Sequence, residues 1–271
     1  MMKDETYIKN IANIMIKPGK PLFELVVRAK VKQQEFCPAI EAMRMLLAMR
    51  VKCPVVRSEL ISDDERLEYF VLDLSGTSWS INDVVSRIKE GFKENLLDIR
   101  YHVPKHGGIV TEAMLFPPVL RIDGGLTRVA IMDMPSWKVF FLNLYDKLSS
   151  GALSLLWDNG IKIGEEIVKG LRRLGVTDRR ILAELCISMM RSAGWGLARI
   201  KLMNISMARA QIVVEDSFEC QVTKSIPGYV NSLMRGYING VFNEIFGRKV
   251  NVVETSCIKR GGRVCVFEVK P

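Results

Sequence analysis

Glu254, Cys257 and Cys265 are the residues of this chain best suited by type and spacing to do chemistry. The carboxylate stands three positions before the first thiol, and seven residues separate the two thiols. Thiolates and a carboxylate suit a zinc ion, which four such ligands close into a tetrahedral site. A Cys-x7-Cys pair on its own is a weak signal, and two buried free thiols are the plain alternative. A Cys257–Cys265 disulfide is the other, open to an intracellular chain mainly in hyperthermophiles. The charge-rich, His-poor composition leans toward a thermophile. Nucleophilic chemistry at Cys257 would require a depressed thiol pKa. The two histidines, His102 and His106, flank Pro104. So placed, they read as solvent-exposed loop residues rather than as metal ligands or an acid–base pair.

Other chemistries lack their constellations. The sequence holds no Gly-x-Gly-x-x-Gly after a strand, no Walker loop and no His-Glu-x-x-His. Gly-x-Ser-x-Gly is absent too. Without a nicotinamide or flavin cradle, reductase activity is disfavoured. The net charge of +9 is spread as pairs such as Arg172–Arg173, Arg179–Arg180 and Lys259–Arg260, which read as a solvated surface. The longest apolar stretch, Val139 to Leu156, is broken by Asp146 and Lys147, so no membrane span is expected. Lys3, Asp4 and Glu5 precede no apolar stretch, so no secretory signal is read and the expected compartment is the cytoplasm.

The elements that must position these residues fall into two groups. In the first, Phe23 to Val31 alternates as a strand does, and Pro38 opens a helix through Arg50. Val55–Ile61 and Leu67–Leu74 read as a hairpin about Ser62–Glu65. Ser80 with Asp83 forms a capping-box-like start for a helix carrying Ile81, Val84, Val85, Ile88 and Phe92 on one face. Leu97–Val103 completes the order β-α-β-β-α-β, the ferredoxin-like pattern. That order resembles the ACT-type regulatory domains. The turn Pro104–Gly108 is the expected boundary.

In the second group, Val110–Arg121 and Thr127–Met134 read as short strands about Asp123-Gly124-Gly125. Helices follow at Trp137–Leu148, Ser149–Leu171 and Asp178–Ser192, the last capped by Thr177. Gly196–Asn204 and Met207–Glu215 are strand-like. Pro227–Phe246 reads as one long helix ended by Gly247. Val250–Glu254 and Val264–Val269 close the chain as strands.

Three blocks of sequence carry a family resemblance. They are Gly236-Tyr237-Ile238-Asn239-Gly240, then Phe246-Gly247-Arg248-Lys249-Val250, then Glu254-x-x-Cys257 with Gly262-x-x-Cys265-x-Phe267. Gly151, Trp157, Gly160 and Gly164 upstream, and the break Asp216-Ser217-Phe218-Glu219, fit the same pattern. The stretch from Gly108 to Lys270 resembles the four-vinyl-reductase domain family. That resemblance implies the fold shared with TRAPP vesicle-tethering subunits and with the sensory domains of aromatic-responsive bacterial regulators. It also implies an apolar pocket between helices and sheet, and pairing through helices. In those sensors the Glu/Cys/Cys set joins a third cysteine on the long helix around a structural zinc. Here that helix position falls near Asn231 and Ser232, which are poor zinc ligands, and Cys220 is the candidate to substitute.

The expectation is therefore an α+β chain. Residues 1–104 form a ferredoxin-like regulatory or dimerisation domain, and residues 108–271 a four-vinyl-reductase-type α/β ligand-binding domain with an antiparallel sheet and packed helices. Its expected function is to bind or sense a small apolar molecule, without catalysis. A homodimeric scaffold with a TRAPP-like fold and an enzyme of tetrapyrrole or aromatic metabolism are the alternatives. Trp157, Met189, Met190, Met203 and Tyr237 are the candidate ligand-binding residues, with plain core packing the competing reading for the methionines. Gly236 and Gly240 fit either a pocket or tight helix packing. Glu254, Cys257, Cys265 and Cys220 are the candidate metal ligands, with zinc the implied cofactor. A homodimer is expected, and direct nucleic-acid binding is not.

Overall fold

In the computed structural model the described residues are 15–17, 19–31, 37–105, 108–110, 114–115, 119–122, 125–128 and 130–271. They divide into two compact units, Met1–Val119 and Leu120–Pro271. His106 and the Asp123–Gly124 part of the expected turn lie outside the described residues.

The first unit follows from its alternating strands and two amphipathic helices. After β1 (Met15–Ile16) come β2 (Leu22–Lys30), α1 (Pro38–Ala48), β3 (Lys52–Ser62), β4 (Glu65–Asp73), α2 (Ile81–Phe92), β5 (Leu96–His102) and β6 (Ile109–Val110). The larger sheet runs β3-β4-β2-β5 and is antiparallel throughout, the ferredoxin-like arrangement. One face of it, with Leu25, Val27, Phe70 and Leu72, buries Ala42 and Leu46 of α1 and Val84, Ile88 and Phe92 of α2. Ser80 and Asp83 close a reciprocal capping box at the start of α2. Residues Ile109–Val110 pair with Met15–Ile16, and Val110 packs beside Leu22, Tyr69 and Val71. The turn expected to divide the chain at 104–108 therefore falls within the first unit.

The second unit begins with the short pair β7 (Val119–Ile122) and β8 (Gly125–Arg128). Helices α3 (Met134–Leu148), α4 (Ser150–Arg173) and α5 (Arg179–Ser192) follow, then β9 (Leu197–Asn204), β10 (Arg209–Glu215), α6 (Phe218–Val222), α7 (Ser232–Phe246), β11 (Asn251–Ser256) and β12 (Cys265–Lys270). The sheet order is β11-β12-β10-β9, antiparallel at each step. Asp178, not Thr177, caps α5: its carboxylate accepts from the Arg180 and Ile181 amides, and it stands at the first extended position before the helix. The chain from Pro227 to Asn231 is not helical, which shortens the long helix expected there. Gly228 adopts a positive φ of 67°, and the Asn231 side chain is drawn into a buried cluster instead of continuing the helix. Among the described residues, no helix is long and apolar enough to cross a membrane.

Helices α4 and α7 run in the same direction and touch backbone to backbone. A Cβ on Gly160 or Gly164 would meet main-chain atoms of α7, and one on Gly236 or Gly240 would meet main-chain atoms of α4, all within 3.0 Å. Two Gly-x-x-x-Gly stripes thus mesh, which only glycine permits. Arg172 ties the far end of this crossing, bonding Glu244 Oε2 at 3.0 Å and the Glu244 carbonyl at 2.8 Å. The glycines serve helix packing rather than lining a pocket.

Candidate metal and ligand site

Four elements bring a thiol cluster together. Cys265 opens β12 and pairs with Val214 of β10. Cys257 follows β11, where a short 3-10 turn, Ile258–Arg260, ends at Gly261 with φ 86°. That left-handed glycine lets Gly262 N–H return to the Cys257 carbonyl at 2.9 Å, folding the segment tightly between the two cysteines. Cys220 sits in α6, whose N-cap Ser217 accepts from the Cys220 amide. Its Sγ is 3.5 Å from Cys257 Sγ and 3.5 Å from Cys265 Sγ. All three thiols are buried, and all six cysteines of the chain are free.

Asn231, just before α7, supplies the fourth element. Its Nδ2 is 3.2 Å from Cys220 Sγ, 3.4 Å from Cys265 Sγ and 3.9 Å from Cys257 Sγ, and it donates to Glu254 Oε1 at 2.5 Å. Its Oδ1 accepts from Ser217 Oγ at 3.2 Å. The amide group thus faces all three sulfurs. Glu254 is taken up by Asn231 on one oxygen and by Arg260 Nη2, at 3.3 Å, on the other. The expected set of Glu254, Cys257, Cys265 and Cys220 is accordingly divided: the three cysteines lie together, while Glu254 is held beside them by the Asn231 amide.

Hydrogen bonds within the cluster and burial move its three thiols in different directions. Hydrogen bonding from the Cys265 thiol pulls Cys220 down to about 5; burial opposes this, and Asn231, Cys257 and Ser217 add to the pull. Burial pushes Cys257 up to about 11. Hydrogen bonding to Cys220, then burial, holds Cys265 far above the ordinary thiol range. Three sulfurs within 4.8 Å of one another can hold a metal ion. Zinc–sulfur bonds of about 2.3 Å in a tetrahedron put sulfurs somewhat under 4 Å apart, which is close to the spacing found.

A second buried group supports this corner. Glu219, read from the sequence as part of a polar break, has a fully buried carboxylate. It accepts from the Leu233 and Met234 amides at 2.9 and 2.8 Å and from Tyr229 Oη at 2.7 Å. It therefore does the capping that Asn231 leaves undone at the α7 N-terminus. Burial pushes its carboxyl up to about 7 against the pull of these three bonds. Lys259 Nζ bonds the Thr223 carbonyl at 2.8 Å and also the Ile226 carbonyl.

Of the expected ligand-binding residues, Met190 and Tyr237 belong to the core of the second unit, and Trp157 and Met203 pack against it. Met190 is buried in the core and Met189 is half-buried on α5. Tyr237 is buried and donates its hydroxyl to the Cys186 carbonyl at 2.8 Å. Trp157 lies at the α4–α7 crossing beneath the Arg235 guanidinium, 4.5 Å from its ring centroid. Met203 lines an open groove with Arg179, Arg180 and Arg248. The structure gathers one of them, Tyr237, into a set of rings with Trp137 and Phe141 of α3, Trp195, Phe218 and Tyr229. Successive centroids lie 5.3–6.1 Å apart, mostly edge to face. Trp137 and Phe141 at i and i+4 were the legible part of this signal. Of the 15 residues in α3, Phe141 is the one buried.

Residues 210–271, from β10 to the chain end, match the family model of the four-vinyl-reductase domain. This is the C-terminal portion of the stretch expected to carry that resemblance. An uncharacterized protein of Methanocaldococcus jannaschii is 25% identical over 120 residues, covering 44% of this chain and 65% of the relative. The match thus spans just under two thirds of that relative. Among solved structures, the phenol-responsive sensory domain of the transcription activator PoxR, with phenol, aligns at 18% identity and TM-score 0.48, covering 57% of this chain and 81% of that one. A vinyl-4-reductase family protein from Methanocaldococcus jannaschii aligns at 20% and 0.36, covering 52% and 83%. Trafficking protein particle complex subunit 3 from Naegleria fowleri, covalently bound to palmitic acid, aligns at 11% and 0.35, covering 51% and 96%.

Proposed function

We propose that this chain is a non-catalytic binding protein whose second unit receives a small apolar molecule and whose first unit reports or pairs. The family match over residues 210–271 is the observation that carries this reading, because it covers the thiol cluster, α7 and three of the rings just described. The rings of Trp137, Phe141, Trp195, Phe218, Tyr229 and Tyr237 would form the wall. Helix α3, which packs on the core through Phe141 and the half-buried Trp137, Leu142, Leu144 and Tyr145, would supply two of these rings to a guest. Edge-to-face ring pairs are worth about 0.5–1.5 kcal/mol each, so an aromatic guest replaces such contacts at small net loss.

The three cysteines would hold zinc as a structural ion. The donor set fits: three thiols and a neighbouring carboxylate are ligand types that zinc takes, and Glu254 would be the fourth ligand in place of its bond to the Asn231 amide. Bound there, the ion would fix α6, β11 and β12 beneath the ring wall. Phenol is the first probe, since one of the similar structures carries it. Native mass spectrometry of protein from its own host should show a bound apolar molecule, and phenol should raise the melting temperature. A chain that carries no guest and gives no shift with phenol, toluene or a fatty acid would defeat the reading.

A homodimeric scaffold is the second reading. Leu155 and Ile163 on α4 and Ile181 and Leu185 on α5 are exposed apolar side chains of the kind helix pairing buries. Light scattering of the apo chain tests it, with a monomer at every concentration counting against it.

A further inference from the structure

Away from the rings and thiols, the second unit carries an open groove of about 720 Å³. Arg179 and Arg180 at the head of α5 form one side. The β9–β10 turn, with Asn204, Ile205, Ser206 and Ala208, forms another, and Phe246 and Arg248 at the end of α7 complete it. The volume is within the range of about 300–1,000 Å³ typical of small-molecule sites.

Its chemistry is one-sided. Three guanidiniums line it and no carboxylate does. The nearest acid in sequence, Asp178, spends its carboxylate on the Ile181 and Arg180 amides, and these bonds, with the Arg180 charge adding less, favour its ionised form. Among the described residues, neither Arg179 nor Arg180 makes a salt bridge. Arg248 is positioned by Nη2 bonding the Met207 carbonyl at 3.1 Å. Asn204 Oδ1 accepts from Ser206 Oγ at 2.8 Å and from the Met207 amide at 3.0 Å, which fixes the turn. The α7 C-terminus adds partial negative charge, roughly half an elementary charge, which three guanidiniums outweigh. Met203, Ile205, Ala208 and Phe246 supply an apolar part to the same lining.

We infer that this groove binds a small organic anion: a carboxylate or phosphate, taken by the arginine forks, on an apolar or aromatic body that lies along Met203, Ile205 and Phe246. Guanidinium forks match both headgroups in two-point geometry. This ligand class and place are distinct from the apolar guest proposed above.

Calorimetric titration with phenyl phosphate, benzoate and benzyl alcohol tests it. At least one of the two anions should bind, the tighter one naming the headgroup, and benzyl alcohol should bind at least about tenfold more weakly than that anion. The double variant Arg179→Ala/Arg180→Ala should weaken the anion at least about tenfold. Arg248→Lys should weaken it less, while circular dichroism stays that of the unaltered chain. Equal binding of benzyl alcohol and the anions would overturn the proposal, as would undiminished anion binding by the double variant. Binding of a polyanion such as heparin, with none of either small anion, would also overturn it and assign the arginines to a polyelectrolyte surface.

Discussion

Asn231 donates its side-chain amide to Glu254 Oε1 across 2.5 Å while facing the sulfurs of Cys220, Cys257 and Cys265. In effect, an N–H pair lies where a cation would draw the same groups together. Protein grown with zinc should carry about one ion per chain by plasma mass spectrometry, matching one four-ligand site. Cys220→Ser should lower zinc affinity at least about tenfold, whereas Cys37→Ser should leave it unchanged. Asn231→Cys should raise affinity by adding a thiol at that position. A chelator should lower the melting temperature of the unaltered chain and leave Cys220→Ser little affected.

Glu219 anchors the start of α7 from fourteen residues or more upstream. Glu219→Ala strands two buried backbone N–H groups and the Tyr229 hydroxyl, so urea unfolding should show a loss of about 3 kcal/mol. Tyr229→Phe removes one of the three partners and should lose about 1 kcal/mol. A loss under about 1 kcal/mol for Glu219→Ala would mean that water replaces the carboxylate.

The α4–α7 crossing gives the sharpest size requirement. Gly240→Ala places a methyl within 3.0 Å of the Ile161 main chain, and Gly236→Ala does the same at Trp157. Each should destabilise by about 2–4 kcal/mol, since two helix backbones must separate to admit it. Gly170→Ala, on α4 as well, meets only the tip of Arg173 at 3.7 Å. It should be neutral or add up to about 1 kcal/mol from helix propensity.

Ser80→Ala in the first unit tests a local interaction free of tertiary support. Losing the bond from the Asp83 amide to the Ser80 hydroxyl, while the Ser80 amide keeps its bond to the Asp83 carboxylate, should remove about 1 kcal/mol and raise amide exchange in the first turn of α2, read by hydrogen exchange.

Much of this architecture is legible in sequence where the information is local. Alternation in Leu22–Lys30 and Glu65–Asp73, Pro38 at a helix start and the Ser80–Asp83 box mark the first unit residue by residue. The Glu254, Cys257 and Cys265 spacing points to the corner where the thiols meet. What the sequence hides is long-range. Ile109–Val110 belong with Met15–Ile16 because of a pairing across more than ninety residues. The helix expected from Pro227 begins instead at Ser232, since Asn231 turns into the thiol cluster and Glu219 takes over the capping. Helix α6, five residues held by Ser217, is too short for any periodicity to announce. The ring wall draws on α3, α6, α7 and the segments between, so no single window of sequence displays it.

The meshed glycines of α4 and α7 also bear on how the second unit can rearrange. With no side chains between the two backbones there is nothing to re-rotamer, and sliding one helix past the other would drive carbonyls into amides. The pair is a stator: any rearrangement within the second unit must leave this crossing fixed and fall to the elements packed around it.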